Sequence, residues 1–385
     1  MSFRRLLALL LVILASGPAA AQVWNYSAPG CEIFDVRFSP DGRKVAFVRR
    51  YYSRERHAEG LRSRILENPR CVDPEVMIAD LGQPSTDDHL CKLDWGWEPA
   101  FSPDGDRVVY SRQVSPIGAQ RLEAATLKGN EIVLRDLSCE EGVVVAKPSA
   151  GAYCEPLISR DGGFVYFTIS DAVDGTWPAG VGIGLADLGT GLVGTLLPRR
   201  RKFGQYHLQG PRWQVGHDVL CVRLTPRRDG AYRAELLNLS AGSRRLYLWP
   251  RVADLSGVVV GIGADGFAYV KTAKWLRVDR RTGKTRTVQK PPFLDRAGGS
   301  PNGRLRVLTS ERAFRVLDRK GRTVLHRRLA GEILEVDWMP NSRGLAVVST
   351  QRMEGRFDRD LLEIYRLGGP GGADWIRSMV ARPPM

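Results

Sequence analysis

The side chains able to do chemistry are few and widely scattered. Six cysteines stand at 31, 71, 91, 139, 154 and 221 with no CxxC spacing, and five histidines are spread along the chain, so no zinc or haem set is spelled out. His57 and His89 come nearest, close in sequence to Cys71 and Cys91, but their spacing fits no ligand pattern. Ser300, in Gly298-Gly299-Ser300-Pro301-Asn302, approaches a nucleophile elbow but lacks its final glycine. P-loop, GxGxxG and HExxH strings are missing. Glu140, Glu141 and Glu155 are acids close in sequence, and a carboxylate pair becomes catalytic only at the right separation. These residues point to binding rather than catalysis, with no metal and no cofactor expected.

Charge is the stronger signal. The chain carries a formal net charge of +15, and between Phe267 and Ala330 there are 18 Lys and Arg against four acids. Such a sector attracts anions: lipid or glycan surfaces and acidic proteins. Arg280, Arg281, Lys284 and Arg286 are its candidate contacts, because cations there alternate with apolar Trp275, Leu276 and Val278 as on the outer face of a strand. The run Arg199-Arg200-Arg201-Lys202 reads as a solvated loop. Trp95 and Trp97, read as lying in the connection into the second blade, Tyr153 in that into the third, and Trp177 in the third blade's loop are the aromatic candidates for a binding face, although aromatics of this kind also fill core.

The elements that must position these residues come from a repeat. Phe38-Ser39-Pro40-Asp41-Gly42 recurs as Phe101-Ser102-Pro103-Asp104-Gly105, each followed by a β-rich run, and weaker copies lie around Asp161-Gly162, Gly216, Asp265-Gly266, Asn302-Gly303 and Asn341. Pro presets a turn, Asp bonds the backbone two residues on, and Gly takes positive φ, so Asp41, Gly42, Asp104, Gly105, Asp161 and Gly162 are read as structural turn residues. Glycine, at 41 residues, suits a chain of many tight turns. Two further strand-like runs follow in most units, for example Glu75 to Leu81 and Asp88 to Leu93. Four strands per unit predict an all-β propeller of four-stranded blades, seven in number, with six as the alternative. The turns would lie on one face. The longer loops Arg54 to Pro74 and Asp171 to Gly180, with the connection Cys139 to Cys154, would form a variable face opposite, where binding is expected.

The Phe-Ser-Pro-Asp-Gly strings resemble the WD40-like repeat called PD40, found in TolB-like propellers and in the propellers of prolyl oligopeptidase relatives. The chain resembles that family without the N-terminal α/β domain of TolB. The resemblance implies the blade, and the missing catalytic motifs with the basic sector make the expected function that of a periplasmic, non-enzymatic binding or scaffold protein for an envelope protein or an anionic envelope component. The similar repeats of oligogalacturonate lyases supply the alternative, an enzyme acting on acidic sugars.

Residues 1–21 read as a signal peptide, with Arg4 and Arg5 before the apolar run Leu6 to Leu14 and small residues Ala19 to Ala21, leaving 22–385 as one propeller domain. The expected location is the periplasm or the medium, as a monomer without a transmembrane segment and without nucleic acid as partner. Export permits disulfides, and two are expected, Cys71 to Cys91 and Cys139 to Cys154, each closing a short loop worth roughly 3 kcal/mol. Cys221 lies inside a strand and reads as a small buried apolar residue.

Overall fold

The computed structural model describes residues 23–29, 31–51, 74–112, 114, 130–137, 141–149, 151–170, 180–197, 207–215, 217–253, 257–258, 260–262, 267–289, 300–302, 304–351 and 359–367. Strands β1 (Val23–Pro29), β2 (Cys31–Phe38), β3 (Lys44–Tyr51), β4 (Glu75–Asp80) and β5 (Leu90–Phe101) open the chain, with one 3-10 turn at Asp87–His89. β6 (Arg107–Arg112), β7 (Glu131–Asp136) and β8 (Val143–Ala146) follow, then β9 (Ala152–Ile158), β10 (Phe164–Ser170), β11 (Gly180–Asp187) and β12 (Val193–Leu197). Next come β13 (His207–Val215), β14 (Asp218–Pro226), β15 (Tyr232–Asn238) and β16 (Arg244–Val252), and then β17 (Val260–Ile262), β18 (Ala268–Lys271), β19 (Trp275–Val278) and β20 (Thr285–Val288). β21 (Leu305–Ser310), β22 (Ala313–Asp318), β23 (Thr323–Arg328), β24 (Glu332–Trp338), β25 (Gly344–Gln351) and β26 (Arg359–Arg366) complete the set.

Every pairing among the described residues is antiparallel, and the protein is an all-β propeller. Its division differs from the expected seven, or six, separate four-stranded blades. Five blades stand apart: β9 to β12, β13 to β16, β17 to β20, the three-stranded β21 to β23, and β24 to β26 joined by β1. The remaining strands, β2 to β8, form one continuous seven-stranded sheet. The reason is β5. Its first half pairs with β4, up to Glu75↔Trp95, and its second half with β6, from Gly96↔Arg112 onward. Nothing between Leu90 and Trp97 breaks the strand, so Trp95 and Trp97 lie inside it and not in a connecting loop. β21 to β23 stand as three described strands, and residues 290–299, before the turn at Ser300, lie outside the described residues.

The hairpin turns show why Ser-Pro-Asp-Gly recurs. Ser39 Oγ donates to Asp41 Oδ1 at 2.6 Å, the Arg43 N–H donates to the same oxygen at 2.9 Å, and the Gly42 N–H donates to Ser39 O at 2.9 Å. Gly42, Gly105 and Gly162 sit at φ of 73°, 81° and 71°, where a Cβ would be strained. Asp104 and Asp161 are held below the usual carboxylate range, first by the Ser102 and Ser159 hydroxyls and then by a backbone N–H. Strands behind these turns are apolar on both sides, as in Val45, Ala46, Phe47 and Val48, all fully buried. Each packs between neighbouring sheets, so the core is a series of inter-sheet layers.

The ring closes through β1, which the sequence pattern does not reveal. It pairs with β26 from Val23↔Tyr365 to Pro29↔Arg359, so the first and last strands share a sheet. Tyr26 of β1 donates to Asp87 at 2.8 Å, and Arg49 of β3 donates to both. The buried Asp360 carboxylate of β26 accepts the Ile33 N–H of β2 at 2.9 Å. Among the described residues, no helix is long and apolar enough to cross a membrane.

Candidate functional site

Four acids occupy one position of the repeat. Asp35, Glu98 and Glu155 each stand four residues before the turn serine, at Ser39, Ser102 and Ser159, and Glu335 stands four before Met339, which opens the corresponding turn. At each place the inner strand slips register against its neighbour, between Phe34 and Arg37, between Trp97 and Ala100, opposite Tyr166 to Thr168, and between Ile333 and Glu335. The extra residue of such a bulge bends the strand and re-aims a side chain. Asp35, Glu98 and Glu155 take φ of 53°, 55° and 50°, left-handed values that cost a non-glycine residue roughly 1–2 kcal/mol. Strain of this kind persists only where surrounding structure imposes it.

Asp35 acts on two of the others: its charge and that of Glu155 bear on Glu98, and its charge, with that of Asp337, bears on Glu335. The Glu155 N–H donates to Glu98 Oε2 at 2.5 Å, and Thr168 Oγ1 donates to Glu155 Oε2 at 2.8 Å. Burial, then the charges of Glu155 and Asp35, push Glu98 up to about 8, against a smaller opposing pull from Arg37. Glu335 is also raised, by burial first, although Arg37 lies 3.5 Å away and opposes the rise. The Cys154 thiol is raised by burial and by both glutamates. The inner strands thus hold a proton on Glu98 at neutral pH beside acids that stay close to it. Among the described residues no three His, Cys, Asp or Glu are grouped to hold a metal ion.

The expected aromatic contacts are placed as follows. Trp97 packs on Phe34 at 5.9 Å between centroids, and the Arg50 guanidinium lies over both rings while paired with Glu32. The Trp97 indole N–H is buried without a partner. Trp95 is 38% exposed on β5. Tyr153 packs on Phe167 at 4.5 Å. Trp177 lies outside the described residues, as do the run Arg199 to Lys202, His57, Cys71 and Cys139. Cys154 is a free, buried thiol, so the expected Cys139 to Cys154 bridge is corrected: its sulfur faces inward, 3.8 Å from the Thr168 carbonyl, and behaves as a small apolar group. Cys221 is free and buried too, its thiol pushed up to about 12 by burial. Cys91 is disulfide-bonded, with a partner outside the residues whose side chains are described, and its pairing with Cys71 remains a proposal.

The second feature is the basic flank. From Arg244 to Glu332, fifteen Lys and Arg side chains are exposed among the described residues, against two exposed acids, Glu311 and Glu332. Arg244 donates to the carbonyls of Arg281 and Thr282 at 2.8 and 3.0 Å, which joins β16 to the β19–β20 turn and makes the cationic surface continuous from one blade to the next. Arg281, Lys284 and Arg286 are exposed there, whereas Arg280 is committed to Asp218 at 2.7 Å. Arg319, Lys320 and Arg322 crown the equivalent β22–β23 turn of the following blade. Asp279 and Asp318, the remaining described acids of this stretch, are taken up by backbone N–H groups of these turns.

No family model and no curated protein matches the chain. Solved structures similar to it include propeller domains. They include an oligogalacturonate lyase in complex with manganese (15% identity, TM-score 0.48, covering 91% of this chain and 97% of that one) and a Swd1 β-propeller domain from Myceliophteria thermophila (12%, 0.49, 91% and 100%). A third is a prolyl endopeptidase (15%, 0.47, 88% and 47%). At these scores the likenesses carry no ligand or reaction over to this chain. The protein is a member of the β-propeller class, and its particular role has to be argued from its own surface.

Proposed function

We propose that the protein is an exported, non-enzymatic propeller that docks on an anionic envelope surface through its basic flank. The observation that supports this is the imbalance of fifteen exposed cations against two exposed acids on successive blades. Arg245, Arg251 and Arg322 lie against acids, and the excess of exposed cations over exposed acids still sends a positive field into solvent. Attraction of this kind weakens as salt is raised, because exposed charges are screened beyond ~8–10 Å at physiological ionic strength.

Co-sedimentation with vesicles containing an anionic phospholipid tests the reading. Each cation near such a surface contributes about 1 kcal/mol, so replacing Arg281, Lys284 and Arg286 by Ser costs ~3 kcal/mol, roughly a hundredfold in affinity. Binding that is missing at low salt, or unchanged in the triple variant, rejects the flank as the docking surface. Capture on acidic protein without capture on vesicles would move the partner to another class.

A further inference from the structure

Both exposed acids of the basic flank line the same cleft. It has a volume of about 260 Å³ and is bounded by Glu311, Arg312, Ala330, Gly331, Glu332, Thr350 and Gln351. The cleft lies on the face opposite the Ser-Pro-Asp-Gly turns, between the β21–β22 turn, the β23–β24 connection and the end of β25. Its backbone is fixed: the Leu329 N–H donates to Arg312 O and the Ile333 N–H to Glu311 O, both at 2.7 Å. Gly331 is required there, since a Cβ would meet Thr350 O at 2.2 Å.

The side chains, by contrast, are uncommitted. Glu311, Arg312 and Glu332 are exposed, and among the described residues they form no ion pair with one another although they surround one space. A simple anion entering the cleft meets two carboxylates. A simple cation meets Arg312 and the cationic flank around it. A ligand with both charges meets a partner for each.

We propose that this cleft binds a small zwitterion, a primary ammonium with an anionic group a few bonds away. The ammonium sits between Glu311 and Glu332, the anionic group lies on Arg312, and Thr350 and Gln351 supply further hydrogen bonds. The volume equals roughly nine waters, enough for a molecule of this size. Charge-assisted hydrogen bonds are the strong ones, which gives such a ligand an advantage over either half of it. The same chemistry occurs in a phosphoethanolamine headgroup and in a free amino acid. The inference is independent of vesicle docking.

Calorimetric titration of the full chain with phosphoethanolamine and with alanine separates the two sources, and ethanolamine and inorganic phosphate serve as single-charge probes. One zwitterion should bind at least about tenfold more tightly than either single-charge probe, and Glu332→Gln or Arg312→Ser should each weaken it by about tenfold, the loss of one charged hydrogen bond. Melting temperatures of these variants should match the parent; if Glu332→Gln melts lower, Glu311→Gln supplies the same reading. Equal binding of ethanolamine or phosphate, unchanged affinity in the variants, or no zwitterion binding at millimolar concentration overturns the proposal.

Discussion

Replacing Glu98 by Gln should stabilise the protein in alkaline solution and leave it unchanged in acid. In the fold Glu98 keeps its proton up to about pH 8, because burial and the charges of Glu155 and Asp35 disfavour its anion, whereas the free side chain releases it near 4.5. The unfolded chain therefore binds fewer protons than the native one between these values, and stability falls as pH rises through the window. Each pH unit costs ~1.4 kcal/mol, which sets a ceiling of ~5 kcal/mol, fully developed above pH 8 and absent below about 4.5. Glutamine keeps the acceptor that the Glu155 N–H requires and never ionises. Urea unfolding of parent and Glu98→Gln from pH 5 to 9 should give curves that meet in acid and diverge with rising pH. Because Glu335 is also raised, the difference between the two proteins, not the slope of either, isolates Glu98. Curves that run parallel across the range would refute the placement of a protonated Glu98 among these acids.

Three other outcomes follow from single contacts. Asp360→Ala removes the buried acceptor of the Ile33 N–H between the closing sheet and β2, and should cost about 2–3 kcal/mol in urea unfolding. Gly331→Ala places a Cβ 2.2 Å from Thr350 O and should lower stability by about 1–3 kcal/mol, read as a lower melting temperature. Cys154 and Cys221, buried and with raised thiol pKa values, should resist alkylation in the native protein and react on unfolding, as mapped by mass spectrometry.

The blade unit was legible because its signals are local. Ser39, Asp41 and Gly42 close one turn through their own side chains and backbone, and the same types at 102, 104 and 105 do so again. The partition of strands into sheets was not legible, because it depends on where a strand ends. Leu90 to Phe101 runs on for twelve residues, and the tandem of Trp95 and Trp97 looked like a link between blades when it is the middle of a shared strand. Closure escaped for the opposite reason: Val23 to Pro29 has no turn signal of its own, and its partner is β26, more than 300 residues away.

The acids around Glu98 show how a site can be hidden in a repeat that is itself obvious. The turn drew attention to Asp41, Asp104 and Asp161, whose carboxylates are spent on backbone N–H groups. Counting back four residues from each turn serine would have aligned Asp35, Glu98 and Glu155, and from Met339 would have reached Glu335. An acid repeated at an inner-strand position, where apolar side chains would pack more easily, is a signal, because burying carboxylates near one another is costly. The same counting fails for Glu311 and Glu332. Those two belong to different blades and different positions of the unit, and the hydrogen bonds that tie the β21–β22 turn to the β23–β24 connection of the next blade bring them to one cleft. Inner acids of like charge and an outer flank of the opposite charge thus arise from one repeat by different means, the first by register within each unit and the second by drift in composition between units.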